Sequence, residues 1–306
     1  MFEDFEKKTG IGIVESNFAS NEEMLAKIQA GAEGYDIIIP SDYMVTVMSN
    51  LKLLAPIDKS KIPNLANVET ALMAQPHDPK NQWSVPYSWA LVGIIYKTDK
   101  VSSPIESYRD FFTRDELLHR FSILDDSREM IASALKSGGQ SANTTDEHVL
   151  RQVRSSILEI KKRAREFNSA PTSQLLQGDL LAAQIYSNEA LRLTIKDPRF
   201  KFILPADGFT MSIDNMAIPQ SSKQKDLAYR LINYLLDPSV NLKFATNVLT
   251  APVVKGVYER LSVTLRSQPA IGPLQSIAPN AEMLHDLGNS TTQYDRIWTE
   301  IKASNI

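Results

Sequence analysis

From Ser20 to Met44 the apolar positions change period from helical to continuous. Met24, Leu25 and Ile28 give a helix one apolar side. Ser20 and Glu23 have capping-box spacing ahead of it, each side chain able to satisfy a backbone N–H of the first turn. Gly31 and Gly34 can take the positive φ that stops a helix and turns the chain. Tyr35-Asp36-Ile37-Ile38-Ile39 is β-branched and lacks polar alternation, which predicts a strand covered on both faces. Pro40 cannot donate to a ladder and ends that strand, leaving Ser41, Asp42 and Tyr43 at its carboxyl end. Ligands of open α/β sheets bind there.

The same reading extends along the chain. Residues 2–9 end a helix at Gly10, and a strand is expected near Ile11–Glu15. Ser41 can cap a helix carrying Met44, Val45, Met48 and Leu51. After a Pro- and Asn-rich surface stretch, Leu91–Tyr96 reads as a strand. Phe121–Leu124 is another, running into Asp125-Asp126-Ser127-Arg128-Glu129 and a helix stopped at Gly138-Gly139. Thr144 with Glu147 predicts a second capping box, opening an amphipathic helix to about Phe167. A short helix at 172–177, a strand ending at Tyr186, a strand at Phe200–Leu204 and a helix at Lys225–Leu236 follow. Strands alternating with helices predict an α/β fold with mixed, mainly parallel sheets.

At 306 residues the chain is long enough for two domains and a sizeable core. No apolar run approaches the roughly 20 residues that span a bilayer. A net charge of −3 and the lack of a basic stripe interleaved with aromatics argue against nucleic acid as a partner. The run Lys161–Arg165 is instead a cationic helix end that complements the dipole. Cysteine is absent, which removes thiol nucleophiles, CxxC redox sites and cysteine zinc sites together. The four histidines, His77, His119, His148 and His285, share no ligand spacing. There is no GxSxG elbow, no GxxxxGK[ST] loop and no HExxH pair. Neither a catalytic set nor a metal site is expected, nor a cofactor.

What remains is a series of polar residues at strand ends: Ser41, Asp42 and Tyr43; Asp126 and Glu129; Tyr186 and Glu189; and Asp214. Aspartate is also an ordinary cap and turn residue, so one such carboxylate needs no ligand to explain it. Four places ending in acid or tyrosine, with few basic residues beside them, fit a cationic ligand, because desolvated carboxylates are costly unless paired.

The segments SNEEMLAKIQAG, GYDIIIPSDYMV, DKSKIPNL, SVPYSWALVGIIY, DDSREMI, DNMAIP and YDRIWTEIK resemble the spermidine/putrescine-binding proteins of bacterial ABC importers, in family order over nearly the whole chain. The resemblance implies a type II periplasmic binding-protein fold of two hinge-linked α/β lobes, one of residues 1–90 and 213–265, the other of 91–212 and 266–306, closing on ligand. It implies a non-enzymatic binder of putrescine or spermidine, monomeric, periplasmic or membrane-anchored outside the cytoplasm, that works with permease and ATPase subunits. Carried over by position, Ser41 and Tyr43 match a first-lobe serine and aromatic. Asp126 and Glu129 match two acids that receive amines, and Asp214 matches an acid that binds an ammonium. Tyr186 stands at an aromatic position and Glu189 where some members have aspartate. Carboxylates pair with ammonium groups, and aromatic faces hold the cationic chain at roughly 0.5–2 kcal/mol each.

The sequence departs from that pattern at Ser212 and Leu249, where the family has aromatics, and at Leu284, a glutamine in spermidine binders. Two lost stacking faces correspond to roughly 1–4 kcal/mol of binding. A different cationic amine is therefore the alternative ligand, and presentation to a membrane receptor the alternative role. Members also place a signal and a first strand ahead of the FEDFEKKTG segment. With that strand missing here, a misassigned start is the expectation, since loss of a buried parallel strand would leave ladder groups unpaired.

Overall fold

The computed structural model describes residues 1–18, 20–277 and 281–304, with Gln275 described by its backbone alone. The chain forms two compact units, one of Met1–Trp89 with Ser212–Arg266, the other of Ala90–Met211 with Ser267–Ile306. In chain order, helices α1 (Phe2–Thr9), α2 (Asn21–Gln29) and α3 (Asp42–Asn50) precede the long strand β1 (Ser84–Lys97). Then come α4 (Tyr108–Thr113), β2 (Phe121–Ile123), α5 (Ser127–Ser137), α6 (Glu147–Arg163) and β3 (Glu166–Phe167). Next are α7 (Thr172–Gln177), β4 (Ala182–Tyr186), α8 (Ser187–Lys196), β5 (Phe200–Ile203) and β6 (Phe209–Ala217). Helices α9 (Lys225–Leu235) and α10 (Pro238–Phe244), strand β7 (Ala281–Met283) and α11 (Thr291–Ala303) follow.

In the first unit the helical spacing of the sequence becomes one core. Met24 and Ile28 of α2 pack with Met44, Val45 and Met48 of α3, and with Ile38, Leu54 and Ala217. Ser20 caps α2 as its spacing predicts, its Oγ accepting from the Glu23 N–H at 3.2 Å. Gly10 ends α1 in the left-handed region at φ 71°. Two predicted strands do not form ladders. Residues 11–15 have no β partner among the described residues, and Val14 is 98% exposed. The 35–39 run makes a single antiparallel bridge, Ile38 to Ala217, and Ile39 is 40% exposed. Apolar content favours burial, but a ladder also needs backbone groups on a neighbouring strand, and here only β6 supplies one. Chain order elsewhere in this unit is kept by isolated bridges, among them Val68 to Val254 and Trp89 to Ala251. The Trp89 indole N–H adds a hydrogen bond to the Pro252 carbonyl at 3.1 Å.

The second unit carries the regular mixed sheet. The end of β1 pairs antiparallel with β4, from Val92 opposite Tyr186 to Tyr96 opposite Ala182. On its other edge it pairs antiparallel with β5, Ile94 opposite Ile203. β2 runs parallel to both β4 and β3, and β6 parallel to β7. Helices α4, α5, α6 and α11 cover this sheet with Phe111, Ile131, Leu135, Ile157, Tyr294 and Ile301, in one core with Ile94, Phe121 and Ile123. Two boundaries differ from the sequence reading. Asp146, not Thr144, caps α6, its carboxylate accepting from the His148 and Val149 N–H groups at 2.7 and 3.1 Å. A carboxylate directly before the first turn reaches both amides, which the Thr144 hydroxyl two residues earlier does not. The helix also ends at Arg163 rather than near Phe167, because Glu166 and Phe167 are drawn into the parallel pairing with β2.

Strand β7 is pinned by one side chain. Glu282 accepts from Lys136 of α5, from Ser141 and Asn143, and from the Ala142 N–H. Burial alone would raise its pKa; the hydrogen bonds from Lys136, Ser141 and Ala142 outweigh it and hold the carboxyl at about 2. A depressed carboxylate contributes stability that is present above its unfolded value of 4.5 and lost as pH falls toward 2. Acid titration of urea midpoints will show that loss, about 3 kcal/mol, and Glu282→Gln will flatten it. Gly93 tests the packing of β1. A Cβ there would lie 2.4 Å from the Ile203 carbonyl oxygen and 2.6 Å from the Phe202 ring. Gly93→Ala will destabilise the protein by about 3 kcal/mol, read as a lowered thermal midpoint.

Candidate functional site

In the first unit the residue after Pro40 meets the strand that carries Asp214. Ser41 bridges antiparallel to Asp214, and the Asn215 N–H donates to the Pro40 carbonyl at 2.9 Å. Side chains follow the backbone. The Ser41 hydroxyl donates to Asp214 Oδ1 at 3.4 Å, and the Ser88 hydroxyl of β1 donates to Asp214 Oδ2 at 3.1 Å. Ser41 stands at the N-cap position of α3 as expected, yet its hydroxyl does not cap the helix. It is engaged by Asp214 and by Asn21 Nδ2, which donates to it at 3.0 Å. Asp42 is buried and accepts from the Tyr43 and Ile213 N–H groups. The Tyr43 hydroxyl donates to Glu22 at 2.9 Å.

Asp214 is the electrostatically unusual member. Burial pushes its carboxyl up to about 6, against the Ser88 and Ser41 hydroxyls, which pull it down. No lysine, arginine or histidine among the described residues forms an ion pair with it. Tyr87, next to Ser88, packs its ring on Phe244 with centroids 4.7 Å apart. Burial first, then the charges of Asp214 and Glu15, push its phenol well above the usual tyrosine range. The Tyr87 ring thus stays neutral and aromatic beside a carboxylate.

In the second unit the expected acids converge at the start of α5. Asp126 caps that helix, Oδ1 accepting from the Arg128 and Glu129 N–H groups, each at 3.0 Å. Its other oxygen accepts from the Tyr186 hydroxyl at 3.1 Å, which joins the end of β4 to the end of β2. Glu129, one turn on, is buried and accepts from the Thr210 hydroxyl of β6. Gln184 of β4 bridges the same layer, its side chain donating to the Glu129 carbonyl and accepting from the Leu124 N–H. Arg128 points away from this pair, donating to Asn143 Oδ1 and the His285 carbonyl and lying over the Tyr294 ring. Glu189 is drawn off by an ion pair with Arg192 within α8.

The structure therefore brings together Ser41 with Asp214 in one unit and Asp126, Tyr186 and Glu129 in the other. It ties Tyr43 to Glu22 and Glu189 to Arg192. Of the positions where the sequence departs from the polyamine-binder pattern, Leu284 is buried. Leu249 sits at φ 60° at the end of the turn 245–249. Ser88, Asn21 and Thr210 escaped the sequence reading. Ser88 lay inside a run dominated by aromatics and aliphatics, and hydroxyl partners of a distant aspartate leave no local periodicity. Chemically, the two sets are carboxylates with hydroxyl partners, suited to holding cations. Among the described residues there is no group of His, Cys, Asp or Glu that could bind a metal ion.

Comparison with known proteins places these sets in context. The family described as bacterial extracellular solute-binding protein matches residues 1–273. The spermidine/putrescine-binding periplasmic protein of Escherichia coli K12 is 29% identical over 306 residues, covering 99% of this chain and 88% of that protein. A putrescine/cadaverine-binding protein of Pseudomonas aeruginosa is 29% identical over 312 residues, covering 97% and 88%. Among solved structures, a putative spermidine/putrescine ABC transporter protein from Listeria monocytogenes is 28% identical with a TM-score of 0.93, covering 99% of this chain and 94% of that one.

The carboxyl of Asp214 gives a stability signature of its own. A carboxyl whose folded pKa is raised destabilises the ligand-free protein as it ionises, so stability falls as pH rises from 3.8 to about 6. Urea midpoints across that window will fall by the equivalent of about 3 kcal/mol, and Asp214→Asn will abolish the slope.

Proposed function

The chain belongs to the bacterial extracellular solute-binding protein family, a family of binding components rather than enzymes, and from that premise we propose that it captures a polyamine for an ABC importer. The observation that carries this reading is a set of carboxylates of which Asp214 has no ion pair among the described residues. A desolvated carboxylate raised by burial gains most from a ligand ammonium. Asp126 and Glu129, held one turn apart at the start of α5 in the second unit, are the other acids suited to amine groups. Tyr186, bonded to Asp126, lines its alkyl part. Putrescine and spermidine are the first candidates, because they are the amines in the names of the relatives.

In this role the protein works outside the cytoplasm with membrane permease and ATPase subunits. No described helix is long and apolar enough to cross a membrane. Ser212 and Leu249, where related polyamine binders carry aromatics, favour a short diamine over a long polyamine, because fewer stacking faces remain along the chain.

Isothermal titration with putrescine, cadaverine, spermidine and spermine tests this directly. Binding of at least one amine is expected, with Asp126→Asn and Asp214→Asn each weakening it by about 10- to 100-fold, the scale of a charged hydrogen bond. In thermal melts, ligand at about 100 times its Kd adds roughly 2.7 kcal/mol of stability. Absence of heat and of stabilisation for all four amines would sink the proposal.

A further inference from the structure

We propose that Ser88, together with Asn21 acting through Ser41, is a positioning residue that fixes Asp214 in one orientation and keeps it charged for a cationic ligand. This rests on the reading of Asp214 as an ammonium acceptor. The argument is one of proton accounting. A hydroxyl carries one proton and two acceptor lone pairs. Asn21 makes a reciprocal pair with Ser41, receiving the Ser41 N–H on Oδ1 at 3.1 Å and donating Nδ2 to the Ser41 hydroxyl at 3.0 Å. That donation occupies an acceptor site on Ser41 and directs its proton to Asp214 Oδ1. Ser88, largely buried on β1, directs its own to Oδ2. Both carboxylate oxygens thus already accept a hydroxyl proton. Each donation is stronger to a carboxylate than to a neutral carboxyl, so adding a proton to Asp214 would weaken both. The arrangement selects the ionised form in a place where burial opposes it.

The surroundings leave this task to the hydroxyls. The titratable groups linked to Asp214 are Tyr87 on β1, which feels the charges of both Asp214 and Glu15, and Asp42, next to Ser41 at the start of α3; Glu22 of α2 pairs with Tyr43. Tyr87 stays protonated, Asp42 is held by the Tyr43 and Ile213 N–H groups, and Glu22 accepts from Tyr43. Burial raises the Asp214 carboxyl, and the Ser88 and Ser41 hydroxyls lower it. Each hydroxyl also blocks rotation of the carboxyl group, so the lone pairs left over face a fixed direction. That is what orientation of an ammonium requires.

The test is a pH profile on the full chain. In ligand-free protein, carbon-13 NMR of the carboxyl groups, with Asp214→Asn to assign the signal, follows the Asp214 midpoint. Ser88→Ala is expected to raise it by about one pH unit, the scale of one hydrogen bond to a charged group. Ser88→Thr, which keeps the hydroxyl, is expected to restore it, and Asn21→Ala to move it in the same direction by less. Putrescine titrations then compare wild type with Ser88→Ala. Their affinity ratio is expected to widen about five-fold from about pH 8.5 to about pH 6, as the two proteins' ionised fractions diverge. A structural role alone would give a ratio flat with pH and an unmoved Asp214 midpoint, and that result overturns the proposal. If Ser88→Ala does not fold, Asn21→Ala carries both measurements. If wild type binds no amine, the polyamine reading fails, while the NMR arm still decides what Ser88 does to Asp214.

Discussion

A carboxylate removed from water without a cation must be held by hydrogen-bond donors or give up its charge. Asp214, part-buried, comes under that constraint in part. Its two oxygens are met by two serine hydroxyls, with no ion pair among the described residues, and the balance leaves its carboxyl at about 6. Much of the first unit's local structure serves the contact. The turn after Pro40, the bridge from Ser41 to Asp214, the start of α2 at Asn21 and strand β1 at Ser88 all end on this one group. A carboxylate with reduced hydration and no internal cation gains more from an ammonium than a fully solvated acid does, because part of its own hydration is already lost.

The second unit solves the same problem differently. Asp126 and Glu129 stand at a helix start, where backbone N–H groups are available for the capping acid and the dipole favours negative charge. Tyrosine and threonine hydroxyls reach them from β4 and β6, so a sheet and a helix jointly fix their orientation. The polar cluster at Glu282, which fastens β7 to α5 and to the segment that follows it, holds the strand beside β6. Its charge is stabilised by a lysine and several donors, unlike that of Asp214. Glu282 is held by a lysine and an amide, whereas Asp214 is left with hydroxyls.

How much of this was legible depends on the range of the interaction. The α2 cap at Ser20, the short helix Thr172–Gln177, β4 ending at Tyr186 and the αL stop at Gly10 follow from residues within a turn of each other, and the sequence carried them. The 35–39 run was misread because strand character depends on a neighbour as well as on β-branched residues. Only Ile38 found one. Thr144 was misread because two capping residues competed and the carboxylate nearer the helix prevailed. Asn21 and Ser88 left no trace, since their partners lie 20 and 126 residues away along the chain.

By itself, then, the sequence determined the alternation of helices and strands and placed Asp126 and Tyr186 at the ends of β2 and β4. Asp214, read as a strand end, instead lies inside β6, where the bridge from Ser41 reaches it. The sequence also carried enough of the family's motifs to point to a solute-binding protein. Those properties rest on local periodicity and on residue types. Only the tertiary structure decided which donors surround each acid, and therefore which carboxylates are neutralised within the protein and which keep a demand for an external cation. Charge state in a partly dry environment is set by distant groups brought together in folding, and no spacing along the chain encodes it.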